Sequence, residues 1–291
     1  MQIAAEINLD GFGLRRSRQF HSISGMLARE MSGASRRRGS AALPLLRCYG
    51  IVRSAVIYYG NPLKRRRARA LYRNFIKPGA LCFDIGAHLG DRIGHFRALG
   101  AHIVALEPQP QLMRVLRWLY GGDPAVTLIA AAAGAAEGRA TMLADAANPT
   151  LASLAPDWIA RVSSRPEFRR SRWRERAEVA VTTLDALIAR YGVPQFCKID
   201  VEGFESEVMR GLTLAIPGLS LEYVRATLDI AVAALRRLAA LGNYRFNYSP
   251  GETMRLALVD WCDAEEIIAR LGALPLEHGS GDVYARLEPR A

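Results

Sequence analysis

Two groups of side chains in this 291-residue chain have the types and spacing to do chemistry. The first is Asp84-Ile85-Gly86-Ala87-His88-Leu89-Gly90, which follows an apolar run, together with Glu107, which closes the next apolar run at residues 102–106. A strand that enters a glycine-containing turn, followed by a second strand ending in a carboxylate, is how an open α/β sheet holds an adenosine-type cofactor. The second group is Lys198, Asp200 and Glu202, which alternate near the end of an apolar strand and so share one face at its carboxyl edge, where such sheets bind ligands. A cation beside two carboxylates can hold one of them ionised. Asp200 is therefore the candidate base or substrate-orienting group and Lys198 its partner. Glu202 reads equally as a structural ion pair and helix N-cap, since Glu202-Gly203 is placed to begin a helix. A divalent cation between Asp200, Glu202 and Glu222 is an alternative, but no metal is expected.

The turn also selects among cofactors. A dinucleotide site needs a second glycine where the backbone meets the pyrophosphate, in the pattern G-x-G-x-x-G. Here His88 takes that place and the next glycine is Gly90. An imidazole would obstruct a pyrophosphate, which favours a ligand without one, and S-adenosylmethionine fits. Glu107 would accept its ribose hydroxyls, Asp84 would order the turn or meet the methionine amine, and the small residues 131–134, Ala132 among them, would line the adenine. His88 is also a candidate base, because an unperturbed imidazole titrates near neutrality.

These groups need a scaffold. After Lys77-Pro78-Gly79 the chain alternates short apolar runs with amphipathic helical patterns, the form of a mainly parallel sheet covered on both faces. Strands are expected at residues 81–85, 102–106, 126–130, 138–144, 178–182, 196–200 and 219–224, and an antiparallel pair at 244–248 and 282–287. Helices are expected at 91–99, 111–120, 184–191, 204–211, 229–241 and 263–271. Residues 150–177 form a basic insert in which seven arginines between 161 and 176 accompany Trp158, Phe168 and Trp173. It reads either as an exposed rim or as a lid over an anionic or ring-bearing substrate.

The net charge of +11 is localised. Residues 1–75 hold fifteen Lys or Arg against Glu6, Asp10 and Glu30, an excess of twelve, whereas the remainder balances at −1. This divides the chain into a basic leader at 1–40, a helical segment at 41–76 and a catalytic domain at 77–291. The arm could meet phosphates or an anionic membrane surface, or be merely solvated. Aromatic residues are not interleaved with its charges, which argues against nucleic acid. Its apolar stretch at 43–59 is interrupted by Pro44, Arg47 and Arg53 and falls short of a spanning helix. Four cysteines without paired spacing suit a reduced, cytoplasmic compartment, with peripheral membrane contact through the arm as an option. The sequence does not set an oligomeric state.

The motifs Phe83-Asp84-Ile85-Gly86-Ala87-His88-Leu89-Gly90, Ala105-Leu106-Glu107-Pro108, Thr182-Thr183-Leu184-Asp185 and Lys198-Ile199-Asp200-Val201-Glu202-Gly203-Phe204-Glu205 resemble, in order and content, those of the FkbM family of S-adenosylmethionine-dependent methyltransferases. The resemblance covers residues 78–224, and His88 departs from the asparagine usual there. It implies a class I methyltransferase fold, a Rossmann-like sheet of seven strands with one antiparallel, and O-methylation of a hydroxyl on a saccharide, glycolipid or polyketide-like small molecule. The alternatives are an RNA ribose methyltransferase and a non-catalytic scaffold that retains the fold. Amino-methylating enzymes carry an Asn-Pro-Pro-Tyr-type motif after the fourth strand, where this chain has Asp200-Val201-Glu202-Gly203.

Overall fold

The computed structural model describes residues 50, 51, 53, 54, 61–165, 168, 169 and 171–289. The leader and most of the segment at 41–59 lie outside the described residues. Helix α1 (Pro62–Tyr72) starts where Asn61 accepts a hydrogen bond from the Lys64 amide at 3.0 Å and Pro62 occupies the first turn. It buries Ala68, Leu71 and Tyr72 and leaves Leu63, Arg66, Arg67 and Ala70 exposed. No helix among the described residues is long and apolar enough to cross a membrane.

The main sheet has the order β3-β2-β1-β7-β8-β10-β9. Its strands are β1 (Leu81–Ile85), β2 (His102–Leu106), β3 (Val126–Ile129), β7 (Phe196–Ile199), β8 (Gly218–Val224), β9 (Tyr244–Pro250) and β10 (Ser280–Leu287). Only β10 runs against its neighbours, so the closing hairpin-like pair is antiparallel as the sequence suggests and the rest is parallel. Because side chains alternate across a strand, each strand feeds two cores. Phe83, Ile85, Cys197, Ile199, Leu219 and Leu221 pack on α5 (Leu184–Tyr191), α6 (Glu205–Arg210), α7 (Leu228–Leu241) and α8 (Ala264–Ala273). Cys82, Ile103, Ala105 and Phe196 pack on α1, α2 (Asp91–Ala98) and α3 (Pro110–Tyr120). There the ring of Tyr72 meets Phe96 edge-on at 4.9 Å and Phe196 at 5.7 Å.

A second sheet, β4-β6-β5, carries β4 (Ala132–Ala133), β5 (Gly138–Ala144) and β6 (Glu175–Thr182). The two-residue β4 is too short to leave a periodic signal, and β6 begins three residues before the expected strand. The basic insert contains helix α4 (Pro156–Val162), whose Trp158, at 1% exposure, packs edge-on against Phe168 and Trp173. Trp173 Nε1 donates to the Leu151 carbonyl at 2.7 Å. These rings form a satellite core in which Trp158 is buried and Phe168 and Trp173 are half-buried. Arg161 likewise pairs with Asp229 on α7, at 2.8 Å.

The expected helix start at Glu202-Gly203 is also corrected. Both residues have left-handed backbone, φ 51° and 88°, which a right-handed helix cannot contain. The N-cap is Phe204, and α6 begins at Glu205.

Candidate active site

Strands β1 and β2 end side by side, and the turn after β1 closes when the Gly86 and Ala87 amides both donate to the Leu106 carbonyl, at 3.0 and 2.8 Å. Gly86 has φ 86°, and a Cβ there would lie 1.9 Å from the Asp200 carbonyl oxygen. Glycine is thus required by conformation and by the close approach of the chain leaving β7. His88, at φ 49°, turns its amide onto Glu107 Oε2 at 2.8 Å, and the Gln109 amide donates to Oε1 at 2.8 Å.

Glu107 is 2% exposed, and burial pushes its carboxyl up to about 7 even though the two amides favour the charged form. Burial pushes the His88 imidazole down to about 4, so it is neutral at neutral pH and a weak proton acceptor. That lowers its standing as a base and removes a positive charge that would repel a sulfonium. Gly86, His88, Glu107, Ala131, Ala132, Ala133, Met142, Asp200 and Glu202 line one cleft. Segment 145–154 is tied across it at two points: Gln109 Nε2 donates to the Pro149 carbonyl at 2.9 Å, and Ser153 Oγ to the Glu202 carbonyl at 2.6 Å.

Asp84 and Gly90, both expected to contact the cofactor, are not among the cleft-lining residues. Asp84 is on the face of β1 opposite Phe83 and Ile85, in register with Lys198, and burial pushes its carboxyl up to about 7. Gly90 caps α2 and lies against Tyr120, whose hydroxyl donates to the Gly90 carbonyl at 2.8 Å. Strand alternation explains the first case and helix packing the second.

The other half of the edge is built from charge. Lys198 is fully buried, and its Nζ lies 2.7 Å from Asp282 Oδ1, 3.1 Å from Asp200 Oδ2 and 3.3 Å from the Ile199 carbonyl. Burial opposes its charge, yet Asp200 and Asp282 hold the ammonium well above the usual lysine range. The sequence expectation of one lysine serving two carboxylates is met by Asp200 and, in place of Glu202, by Asp282, because the strand ends at Ile199 and the chain turns before Glu202. Asp200 is 35% exposed at its side chain, against 9% for Asp282.

Carboxylate oxygens of Asp200, Glu202 and Glu222 lie within 4.8 Å of one another. Burial and then the neighbouring negative charges push Glu202 and Glu222 well above the ordinary carboxyl range. An acidic cluster alone does not define a metal site. Glu205 Oε1 accepts from the Val201 and Gly203 amides, at 3.2 and 3.3 Å, and fixes the turn that presents Asp200. Gln109, Ser153, Glu205 and Asp282 thus join the site without a role read from the sequence. Glu205 stood inside a quoted motif, whereas Asp282, 84 residues from Lys198, had only strand alternation to mark it.

This strand order, with a cleft over β1 and β2 and ionisable groups over β7 and β8, defines a class I S-adenosylmethionine-dependent methyltransferase. The chain belongs to the FkbM methyltransferase domain family, whose model matches residues 84–230. Among solved structures it is similar to the O-methyltransferase from Bacillus cereus in complex with SAH, at 9% identity and TM-score 0.42 over 91% of this chain and 100% of that one. Precorrin-6y C5,15-methyltransferase from Geobacter metallireducens GS-15 matches at 14% and 0.40, over 77% and 87%. Aeropyrum pernix fibrillarin with natively bound S-adenosyl-L-methionine matches at 12% and 0.40, over 76% and 74%. No curated protein matches the chain.

S-adenosylmethionine is the expected cofactor, and the residues present fit it. Each Glu107 oxygen spends one acceptor position on a backbone amide, leaving capacity for two ribose hydroxyls. The wall of Ala131, Ala132, Ala133 and Met142 is small and apolar, as a flat adenine requires.

Proposed function

We propose that the protein is an O-methyltransferase acting on a hydroxyl of a saccharide, glycolipid or polyketide-like small molecule. The observation that carries this reading is Asp200: of the two carboxylates on the buried Lys198 ammonium, it is the one that reaches the cleft. When bound, S-adenosylmethionine supplies an electrophilic methyl group. The chain's own residues then have three tasks.

Glu107 accepts the ribose hydroxyls and sets the donor's position. Asp200 accepts the acceptor's hydroxyl proton as the oxygen bonds to the methyl, so that an ether, a neutral thioether and a protonated carboxyl result. Lys198, 3.1 Å from Asp200 Oδ2, holds that carboxylate in place. Glu202, whose carboxyl burial and the neighbouring Asp200 and Glu205 push well above its ordinary range, lines the cleft beside Asp200 and meets a second oxygen of the acceptor. Asp200-Val201-Glu202-Gly203 stands where amino-methylating enzymes carry an Asn-Pro-Pro-Tyr-type motif, which favours oxygen over nitrogen as the methylated atom.

The test is incubation of the protein with isotopically labelled S-adenosylmethionine and a cell extract, followed by mass spectrometry. A gain of one methyl as an ether on a sugar, lipid or polyketide is expected. Label on RNA ribose or on nitrogen would overturn the acceptor class, and label nowhere would favour a scaffold.

A further inference from the structure

Lys198 is held from more than one side, and the holders are unequal. Just past the end of β7 it meets Asp200; on β1 its register partner is Asp84; and two strands away on β10 it meets Asp282. Arg92 of α2, Tyr72 of α1 and the carboxylates Glu202 and Glu222 also act on or feel this group electrostatically. The shortest of its contacts is with Asp282, at 2.7 Å. Asp282 is in turn fixed: pairing of β10 with β8 sets it opposite Glu222, and the buried Tyr284 hydroxyl lies 3.4 Å from its Oδ2.

Asp84 is the competitor. Its Oδ2 is buried without a hydrogen-bond partner, and it neighbours Lys198 across the β1–β7 ladder. A buried ammonium released by Asp282 has this carboxylate to turn to, and doing so draws it from Asp200.

We propose that Asp282 is a positioning residue for methyl transfer, clamping the Lys198 ammonium against Asp200 and away from Asp84. It touches neither donor nor cleft and acts through Lys198. The proposal rests on the reading of Asp200 as the acceptor-side base. A buried ion pair that merely supports the fold would affect donor binding and turnover together; a clamp separates them.

The chain has three lysines, Lys64, Lys77 and Lys198, so selective ¹⁵Nζ labelling resolves the amines by nuclear magnetic resonance. In the wild-type protein the Lys198 amine should be shielded from exchange with water, unlike that of the exposed Lys77. In Asp282→Asn the Lys198 signal should shift or broaden, and label transfer into the cell extract at saturating donor should fall at least about tenfold. S-adenosylhomocysteine affinity should stay within about twofold, and Asp282→Glu, which keeps the carboxylate, should recover part of the rate.

An unchanged Lys198 signal and rate in Asp282→Asn would overturn the proposal, as would equal losses of rate and affinity. If that variant does not fold, the wild-type measurement still decides, because a Lys198 amine exchanging as fast as that of Lys77 rules out the clamp. Should the wild-type protein label nothing in the extract, the O-methyl reading fails, while the Lys198 signal in Asp282→Asn continues to report whether Asp282 holds the amine.

Discussion

The two halves of the sheet's carboxyl edge are built on different principles. Over β1 and β2 the site is made of backbone: a left-handed glycine, two amides on one carboxylate and a wall of alanines, all supplied within 48 residues of sequence from Gly86 to Ala133. Over β7, β8 and β10 it is made of side-chain charge, with one ammonium among carboxylates brought together from Asp84 to Asp282. The first half suits a ligand that never changes and is positioned by rigid turns. The second can be altered residue by residue without disturbing those turns, which suits an acceptor and its proton. Gly86 joins the halves, because it lies against the Asp200 carbonyl.

That junction offers the largest effect. Gly86→Ala forces a Cβ to within 1.9 Å of a backbone oxygen and a side chain into left-handed backbone, and should cost about 3 kcal/mol or more in urea unfolding. A loss below about 0.5 kcal/mol, within the range of an ordinary surface change, would show that the halves are not rigidly joined.

Next in size is Asp200→Asn, which should lower label transfer about a hundredfold, in the range of a lost general base, and leave S-adenosylhomocysteine affinity nearly unchanged. Equal losses of rate and affinity would blur the division between the halves. Glu107→Ala should do the reverse, weakening calorimetrically measured S-adenosylhomocysteine binding by about 1.5–3 kcal/mol through loss of a charged acceptor. An unaltered affinity would place the ribose elsewhere.

The smallest effect is a pH dependence with a fixed sign. The Glu107 carboxyl is raised to about 7, so below that value the acceptor is protonated. Affinity for S-adenosylhomocysteine should therefore rise with pH, by at most about tenfold per unit, and level off above about 7. Glu107→Gln should flatten the profile, and a falling profile in the wild type would contradict the assignment. Because Asp84, Glu107 and Glu205 all have folded values raised to about 7, the stability they contribute is full below their ordinary range and is lost as pH rises toward 7. The unliganded protein should accordingly melt at a lower temperature at pH 8 than at pH 5.

The same contrast explains what could be read from sequence. Strands β1 and β2 and helix α5 appear with the bounds their apolar patterns suggest, and Gly86, Glu107 and Ala132 meet in one cleft because their geometry is local. Lys198 and Asp200 were visible as a pair through strand alternation. Their third member was not, because no local period connects β7 with a strand 84 residues away. Glu202 was misplaced for a related reason: two consecutive left-handed residues carry it off the strand, and nothing in Glu202-Gly203 separates that turn from a helix start. Trp158 resembles part of a binding surface by composition, and only tertiary contact reveals it as core, with Trp173 half-buried against it.

The most direct measurement is a crystal structure of the protein with S-adenosylhomocysteine. Both ribose hydroxyls should lie on the Glu107 carboxylate, adenine against Ala131, Ala132 and Ala133, and the sulfur should face Asp200. A nucleoside bound away from Glu107, or a sulfur turned from Asp200 toward β3, would contradict this arrangement.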